Sequence, residues 1–297
     1  MTGRPAVLDR VAAAVGRDVI GWERPECGLS AAERWVTRLA GGSSVFVKAA
    51  TDPDTASWLA TERRALEVAG TELGPAVIDW LDDGEFPILI TEDLSGSYWP
   101  AGTGSVSWRD GDMAAVFDGL ARLRDRPGDD LARLPEPPSR WEDLLAGGSL
   151  VRAGWCSRNW TDRNGPAVIT ADRRALSGDG LVLVHGDVRS DNLCIGIDGR
   201  ARFVDWSQAG AGDRFRDLAL LLPTLRLEGG PPPSDVLTEP AGLITRLAGA
   251  TIARAFGDRR GPDWLQEVLR QLALINLVWV CDVLDLARPD GPRLPVS

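Results

Sequence analysis

Lysine and histidine are nearly missing from this chain of 297 residues. Of its 33 basic residues, Lys48 is the one lysine and all the others are arginine; His185 is the one histidine. Cysteine is sparse as well. Cys27, Cys156, Cys194 and Cys281 lie far apart, and no pair has C-x-x-C spacing. That excludes a clustered zinc site or a dithiol redox motif, and reduced, buried thiols fit a cytosolic location. Long apolar runs are absent too: Leu272 to Cys281, interrupted by Asn276, is too short to span a bilayer. The first eleven residues are broken by Arg4, Asp9 and Arg10 and lack the apolar centre of a signal peptide. Positive charge is in deficit, 33 bases against 43 acids for a net −10. This disfavours nucleic acid and anionic membrane surfaces as partners. No internal repeat is visible.

What is present is ordinary in bulk, 44% hydrophobic and 26% charged, the composition of a folded globular protein with a substantial core. The position of the lone lysine is less ordinary. It ends the strand-like run Val45-Phe46-Val47-Lys48. One reading is compositional drift that leaves a surface charge. The other is a site that needs a compact ammonium on a flexible stem, which a planar guanidinium does not replace.

Patterning divides the chain into two halves. Over residues 1–94, Val7, Leu8, Val11 and Val15 recur at helical spacing. Arg34 to Leu39 and Ser44 to Ala49 read as a hairpin around Gly41-Gly42. Asp54 or Thr55 caps a helix carrying Trp58, Leu59, Leu66 and Val68 that stops near Gly70. Strands follow at Ala76–Trp80 and Pro87–Thr91, joined by the turn Asp82-Asp83-Gly84. Over residues 95–297 the pattern is mostly helical: Met113–Leu123, Asp213–Leu222, Val236–Phe256 and Asp263–Leu286. This half includes a short strand, Leu181–Val184, and a hairpin from Leu193–Ile197 and Ala201–Val204. Leu134 to Pro138 reads as a turn or linker, and Gly229-Gly230-Pro231-Pro232-Pro233 as a break between helices. The class is α+β, a small antiparallel-sheet lobe followed by a mostly helical one, with a cleft expected between them.

The informative segment runs from Leu183 to Leu193. A buried strand enters a polar loop with the spacing His185-x-Asp187-x-x-x-x-Asn192, and a second strand starts directly after it. Asp205 follows in Phe203-Val204-Asp205-Trp206. Two carboxylates and an amide thus sit at the ends of adjacent strands. Phosphoryl transfer from a nucleotide uses such a set: one carboxylate to accept the hydroxyl proton, hard oxygen ligands for Mg²⁺, and a cation for the phosphates. His185 precedes the loop and reads as a hydrogen-bonding support. Asp191 reads as a solvated loop charge or a ligand, and Asp213 and Asp217 as helix-start charges.

These residues resemble the aminoglycoside phosphotransferase family, a branch of the protein-kinase-like fold. His185-Gly186-Asp187, Asn192, the apolar-Asp-Trp triplet at 204–206, Gly212-Asp213 and Asp217-Leu218-Ala219 are similar to its signature. The resemblance implies a bilobal kinase-like fold, with residues 1–94 as nucleotide-binding lobe and 95–297 as acceptor lobe. It implies Asp187 as catalytic base, Asn192 and Asp205 as magnesium ligands, and Lys48 at the α/β-phosphates. Glu62 pairs with Lys48; Glu67 competes for that role, but Glu62 shares the inward face of Leu59 and Leu66. The segment Ile90-Thr91-Glu92-Asp93-Leu94 corresponds to the hinge that holds the purine, so Glu92 and Leu94 are nucleotide-binding candidates. No G-x-G-x-x-G precedes Lys48; in its place stands Cys27-Gly28-Leu29-Ser30-Ala31-Ala32, where Gly28 and Ser30 are the phosphate-loop candidates. Trp206, and the lack of an A-P-E-like segment, argue against a protein substrate.

The resemblance implies Mg²⁺-dependent transfer from ATP or GTP to a hydroxyl of a small molecule, an antibiotic of the aminoglycoside or nucleoside type, by a monomer or homodimer. Charge bears on the acceptor. Residues 1–94 carry 16 acids and 9 bases, whereas 95–297 carry 27 and 24. A nearly balanced acceptor lobe suits a neutral sugar, nucleoside-type antibiotic or amino alcohol better than a polycationic aminoglycoside. Candidate acceptor contacts are Asp191, Trp279, Asp282 and Asp285. A metabolic kinase for choline, homoserine or a sugar, and a catalytically silent kinase-like module, are the competing readings.

Overall fold

The computed structural model describes residues 5–25, 31–82, 86–102, 105–174, 181–257 and 262–292. It divides into two compact units: Met1–Leu134 with Leu181–Arg214, and Pro135–Gly180 with Phe215–Ser297.

The first unit opens with helix α1 (Val7–Val15) and strands β1 (Val19–Glu23), β2 (Glu33–Leu39) and β3 (Ser44–Ala49). Helix α2 (Pro53–Ala69) precedes β4 (Val77–Leu81) and β5 (Ile88–Glu92). All five strands form one antiparallel sheet in the order β1-β2-β3-β5-β4. The period of two sorts its faces. Leu39, Val45, Val47, Ala49, Ile88 and Ile90 pack with Leu8 and Val11 of α1, while Arg34, Phe46 and Lys48 belong to the other face. α2 starts with a capping box two or three residues earlier than the sequence suggests. Asp52 is the N-cap, accepting from the Thr55 amide at 2.8 Å, and Thr55 Oγ1 accepts from the Asp52 amide at 3.0 Å.

The same unit continues with α3 (Asp112–Leu123), β6 (Val182–Val184), β7 (Leu193–Ile195), β8 (Ala201–Phe203) and β9 (Gly210–Gly212). β7 pairs with β8 and β6 with β9. The compact units therefore do not divide the chain at 94/95. Residues 95–134 and 181–214 cluster with the sheet because backbone bonds hold them there. Tyr98 and Ile195 exchange bonds of 2.9 and 2.7 Å, and the Phe203 amide donates to Leu73 O at 2.7 Å. The Leu134–Pro138 stretch lies where the chain passes from the first unit into the second.

The second unit is helical: α4 (Trp141–Ala146), α5 (Ser149–Ala153), α6 (Arg158–Asp172), α7 (Arg216–Leu227), α8 (Pro233–Val236), α9 (Ala241–Gly257) and α10 (Asp263–Val283). Its core gathers Trp141, Trp155, Trp160, Ile252, Leu277 and Val280. The helix expected from Val236 to Phe256 starts instead at Ala241, directly after Pro240, which offers no amide and restricts the residue before it; Val236 is the last residue of α8. Cys156, Cys194 and Cys281 are free and buried; burial pushes the Cys194 thiol up to about 11 and the other two up to about 12. Among the described residues no helix is long and apolar enough to cross a membrane.

Gly249 tests how tightly that core is packed. Trp141 is fully buried and its indole donates to Thr245 O at 2.7 Å. A Cβ at Gly249, one turn further along α9, would stand 2.7 Å from the indole Cδ1. Alanine gains up to ~1 kcal/mol of helix propensity but overpacks a pinned ring at a cost of ~1–3 kcal/mol. Gly249→Ala is expected to lower the urea midpoint, whereas Gly257→Ala, with nothing within 4 Å of its added carbon, leaves it unchanged or raises it. A Gly249→Ala protein as stable as the wild type contradicts this packing.

Candidate active site

The site assembles on the face of the sheet opposite α1. Lys48, near the end of β3, is 8% exposed. Its Nζ donates to both carboxylate oxygens of Glu62, each at 2.8 Å, and to Asp205 Oδ1 at 3.1 Å. Glu62 reaches it because Thr55, Leu59, Glu62, Ala65, Leu66 and Ala69 share the buried face of α2. Glu67 instead pairs with Arg63 at 2.9 Å on the solvent side. Burial alone would lower the lysine's pKa; Glu62 and Asp205 more than reverse that and hold it above the usual range. Burial likewise opposes ionisation of Asp205, yet Lys48 keeps its carboxyl below the usual range.

Asp187, Asn192 and Asp205 come from the turns around β7 and β8. Asn192 Nδ2 donates to the Asp187 carbonyl at 2.9 Å and to its Oδ2 at 3.0 Å. That fixes the carboxamide, so that its Oδ1 is the atom with acceptor capacity to offer a ligand. Asp187 is half-buried, and burial raises its pKa, with Arg189 opposing. Arg189 forks onto Asp191 with two bonds of 3.0 Å and places Nε 3.8 Å from Asp187 Oδ1. Asp205 has left-handed backbone, φ +63°, a strained conformation for a non-glycine residue that the surroundings must hold in place. Gly186 has φ +83°, and a Cβ there would collide with Gln208 O, so only glycine fits.

His185 is the internal strut of this loop. It is fully buried. Nε2 donates to Val204 O at 3.0 Å and Nδ1 accepts the Asp187 amide at 3.3 Å. The ring lies 4.5 Å from that of Trp206, whose indole donates to Phe203 O at 2.8 Å. Burial lowers its pKa from 6.5 to about 4, so it is neutral at pH 7 and unsuited to carry a proton there.

The remaining candidates are scattered. Glu92 takes its side chain to Arg202 at 2.9 Å and to the Ala76 amide at 3.3 Å. Asp93 accepts from the Ser95 amide at 2.9 Å, and Leu94 O accepts from the Ser97 amide at 2.9 Å, so side-chain and turn bonds set the path of the 92–94 backbone. Gly28 and Ser30 lie outside the described residues. Trp279 is 1% exposed and donates to Leu237 O at 3.0 Å; it fills the core of the second unit and presents no ring face to a ligand. Asp282 is engaged by Ser234 at 3.1 Å and Arg288 at 2.8 Å. Asp285 and Asp191 are exposed, Asp285 in the second unit and Asp191 on the 185–192 loop of the first. Sequence reading did not single out Arg189, one arginine among thirty-two; only loop geometry brings it to Asp187 and Asp191.

The buried histidine makes a pH prediction. Between pH 6.5 and about 4 the unfolded chain takes up a proton that the native chain refuses. The stability that a neutral His185 contributes is complete above 6.5 and is lost as the pH falls toward 4, by about 3 kcal/mol in all. Urea titrations at pH 7 and 4.5 are expected to show a larger loss for the wild type than for His185→Gln; equal losses would contradict the buried neutral ring.

Comparison with known proteins places this geometry. The sequence model of the phosphotransferase enzyme family, APH, matches residues 22–264. No curated protein matches the chain in sequence. Among solved structures, an aminoglycoside-3'-phosphotransferase of type VIII aligns with TM-score 0.51 at 20% identity, over 90% of this chain and 98% of its own. A macrolide 2'-phosphotransferase type I gives 0.51 at 17% over 98% and 100%, and aminoglycoside phosphotransferase APH(4)-Ia gives 0.52 at 14% over 91% and 98%. At these identities the structures establish the kinase-like α+β fold, and the family match covers most of the length. This chain belongs to the APH phosphotransferase enzyme family.

Proposed function

We propose that this phosphotransferase moves the γ-phosphoryl group of ATP or GTP, with Mg²⁺, to a hydroxyl of a small molecule of low net charge. The observation that carries this reading is the Lys48 ammonium set between Glu62 and Asp205, beside the paired Asp187 and Asn192. Lys48 is charged, desolvated and aimed, and so suits a phosphate oxygen. Asn192 Oδ1 and Asp205 offer hard oxygen donors. Mg²⁺ is commonly bound by one or two protein oxygen donors together with substrate phosphates. When bound, the ion would neutralise charge on the phosphates. Asp187 accepts the proton of the attacking hydroxyl, its burial making it more basic than a solvated aspartate. The 92–94 backbone receives the base, and residues 1–94 form the nucleotide side of the reaction centre.

For the acceptor, the near balance of acids and bases over residues 95–297 favours a neutral or weakly charged hydroxyl compound. A macrolide phosphotransferase is among the similar folds. An acceptor panel of macrolides, nucleoside antibiotics, sugars, choline, homoserine and aminoglycosides, read by nucleotide diphosphate release, tests this. Turnover confined to the polycations would contradict it, and turnover of choline or homoserine alone would support the metabolic reading.

Asp187→Asn is expected to lower kcat by ~10²–10⁴-fold with little change in nucleotide affinity, because the amide keeps the loop's shape. Near-normal turnover would remove Asp187 from the base role. Lys48→Arg keeps charge but not a compact ammonium; it is expected to weaken both nucleotide binding and rate, and unchanged values would show the lysine to be incidental.

A further inference from the structure

The 92–94 segment leaves β5 with its acceptors already taken. The Leu94 carbonyl receives two donors, the Ser97 amide at 2.9 Å and the Trp99 indole Nε1 at 3.2 Å. A carbonyl oxygen has two lone pairs, so both are in use. The two carboxylates of the segment are engaged as well. Glu92 accepts from Arg202 on Oε1 at 2.9 Å and from the Ala76 amide on Oε2 at 3.3 Å. Asp93 accepts from Ser44 Oγ and Ser95 Oγ on Oδ2, and from the Ser95 amide on Oδ1.

The two bonds on Leu94 O differ in kind. The Ser97 bond closes a backbone turn, and no side-chain substitution removes it. The Trp99 bond belongs to a side chain, and the chain on either side of it is tied down. Tyr98 exchanges two backbone bonds with Ile195 of β7, and its hydroxyl donates to Ser107 O at 2.7 Å. Pro100 is buried and accepts the Ser107 amide at 2.8 Å. The indole is therefore held on the carbonyl by a loop with fixed ends.

Purines differ in what they ask of such a segment. Adenine presents an amino group and the ring acceptor N1, which is followed by a C–H. Guanine presents the acceptor O6, which is followed by two donors, N1–H and N2–H₂. Once either base has met a backbone amide through its acceptor, the next position on its edge needs nothing from the protein in adenine. In guanine it needs an acceptor. With Leu94 O filled, the guanine donors lose water and gain no partner, a cost that adenine does not meet.

We propose that Trp99 is a specificity-determining residue, which selects adenine over guanine nucleotides by capping the Leu94 carbonyl. This rests on the reading of 92–94 as the base-binding segment and narrows the nucleotide of that reading from ATP or GTP to ATP.

The test is isothermal titration of wild type and Trp99→Phe with ADP and GDP in the presence of Mg²⁺. The two ligands share ribose and phosphates, so the ratio of their affinities reports on the base alone. The wild type is expected to bind ADP roughly tenfold to a hundredfold more tightly than GDP, the cost of unmet donors. Trp99→Phe keeps an aromatic ring and loses the N–H, which frees one lone pair. GDP affinity is then expected to rise roughly tenfold, while ADP affinity serves as the check on folding. A ratio unchanged by the substitution would reduce Trp99 to a support of the loop and overturn the proposal. Should Trp99→Phe fail to fold, the wild-type ratio still decides, because equal affinities or a preference for GDP would also overturn it. A wild type that binds neither nucleotide would overturn the nucleotide reading itself, a result distinct from the others.

Discussion

A buried ammonium is the constraint around which the first unit is organised. Removing a charge from water costs several kcal/mol unless partners are exact in geometry, and Lys48 is satisfied by two carboxylates, one near in sequence and one far. Glu62 is delivered by a helix and Asp205 by a turn 157 residues away. Each can be where it is only if α2 lies against the sheet and the β7–β8 hairpin lies near the end of β3. The ion triad thus ties α2 and the turn after β8 to β3 and holds a protonated amine between two carboxylates.

The 185–192 loop is held by a different kind of force. His185 is neutral and buried and bonds on one side to Val204 O and on the other to the Asp187 amide. Gly186 permits a turn that any side chain would block against Gln208, and Asp205 is kept in left-handed backbone. Strain and close approach concentrate within a few residues of the groups that would touch substrate. Rigid surroundings allow two carboxylates and an amide to stay aimed before any ligand binds, which is the arrangement electrostatic catalysis needs.

Much of this was legible in the sequence, and the reasons differ by residue. The spacing His185-x-Asp187-x-x-x-x-Asn192 is local, so one loop carries it whole. Lys48 stood out by rarity, and Glu62 by sharing a helical face with Leu59 and Leu66. The hairpin of β2 and β3 followed from alternation. β9 was hidden because Gly-Ala-Gly has no strand-like side chains, and its pairing with β6 is set by tertiary contact. α6 was hidden by Gly165-Pro166 inside the helix. Trp279 belongs to the apolar stripe of α10, and nothing in a single sequence separates a core indole from a binding platform.

The lone lysine permits a direct measurement. Protein labelled with ¹⁵N-lysine carries one labelled ε-ammonium, so a single side-chain signal reports on Lys48 alone. The structure predicts a slowly exchanging ammonium that stays protonated beyond the usual lysine range and shifts when ATP and Mg²⁺ are added. A rapidly exchanging signal that titrates like a solvated lysine and ignores nucleotide would contradict the ion triad and the phosphotransfer reading built on it.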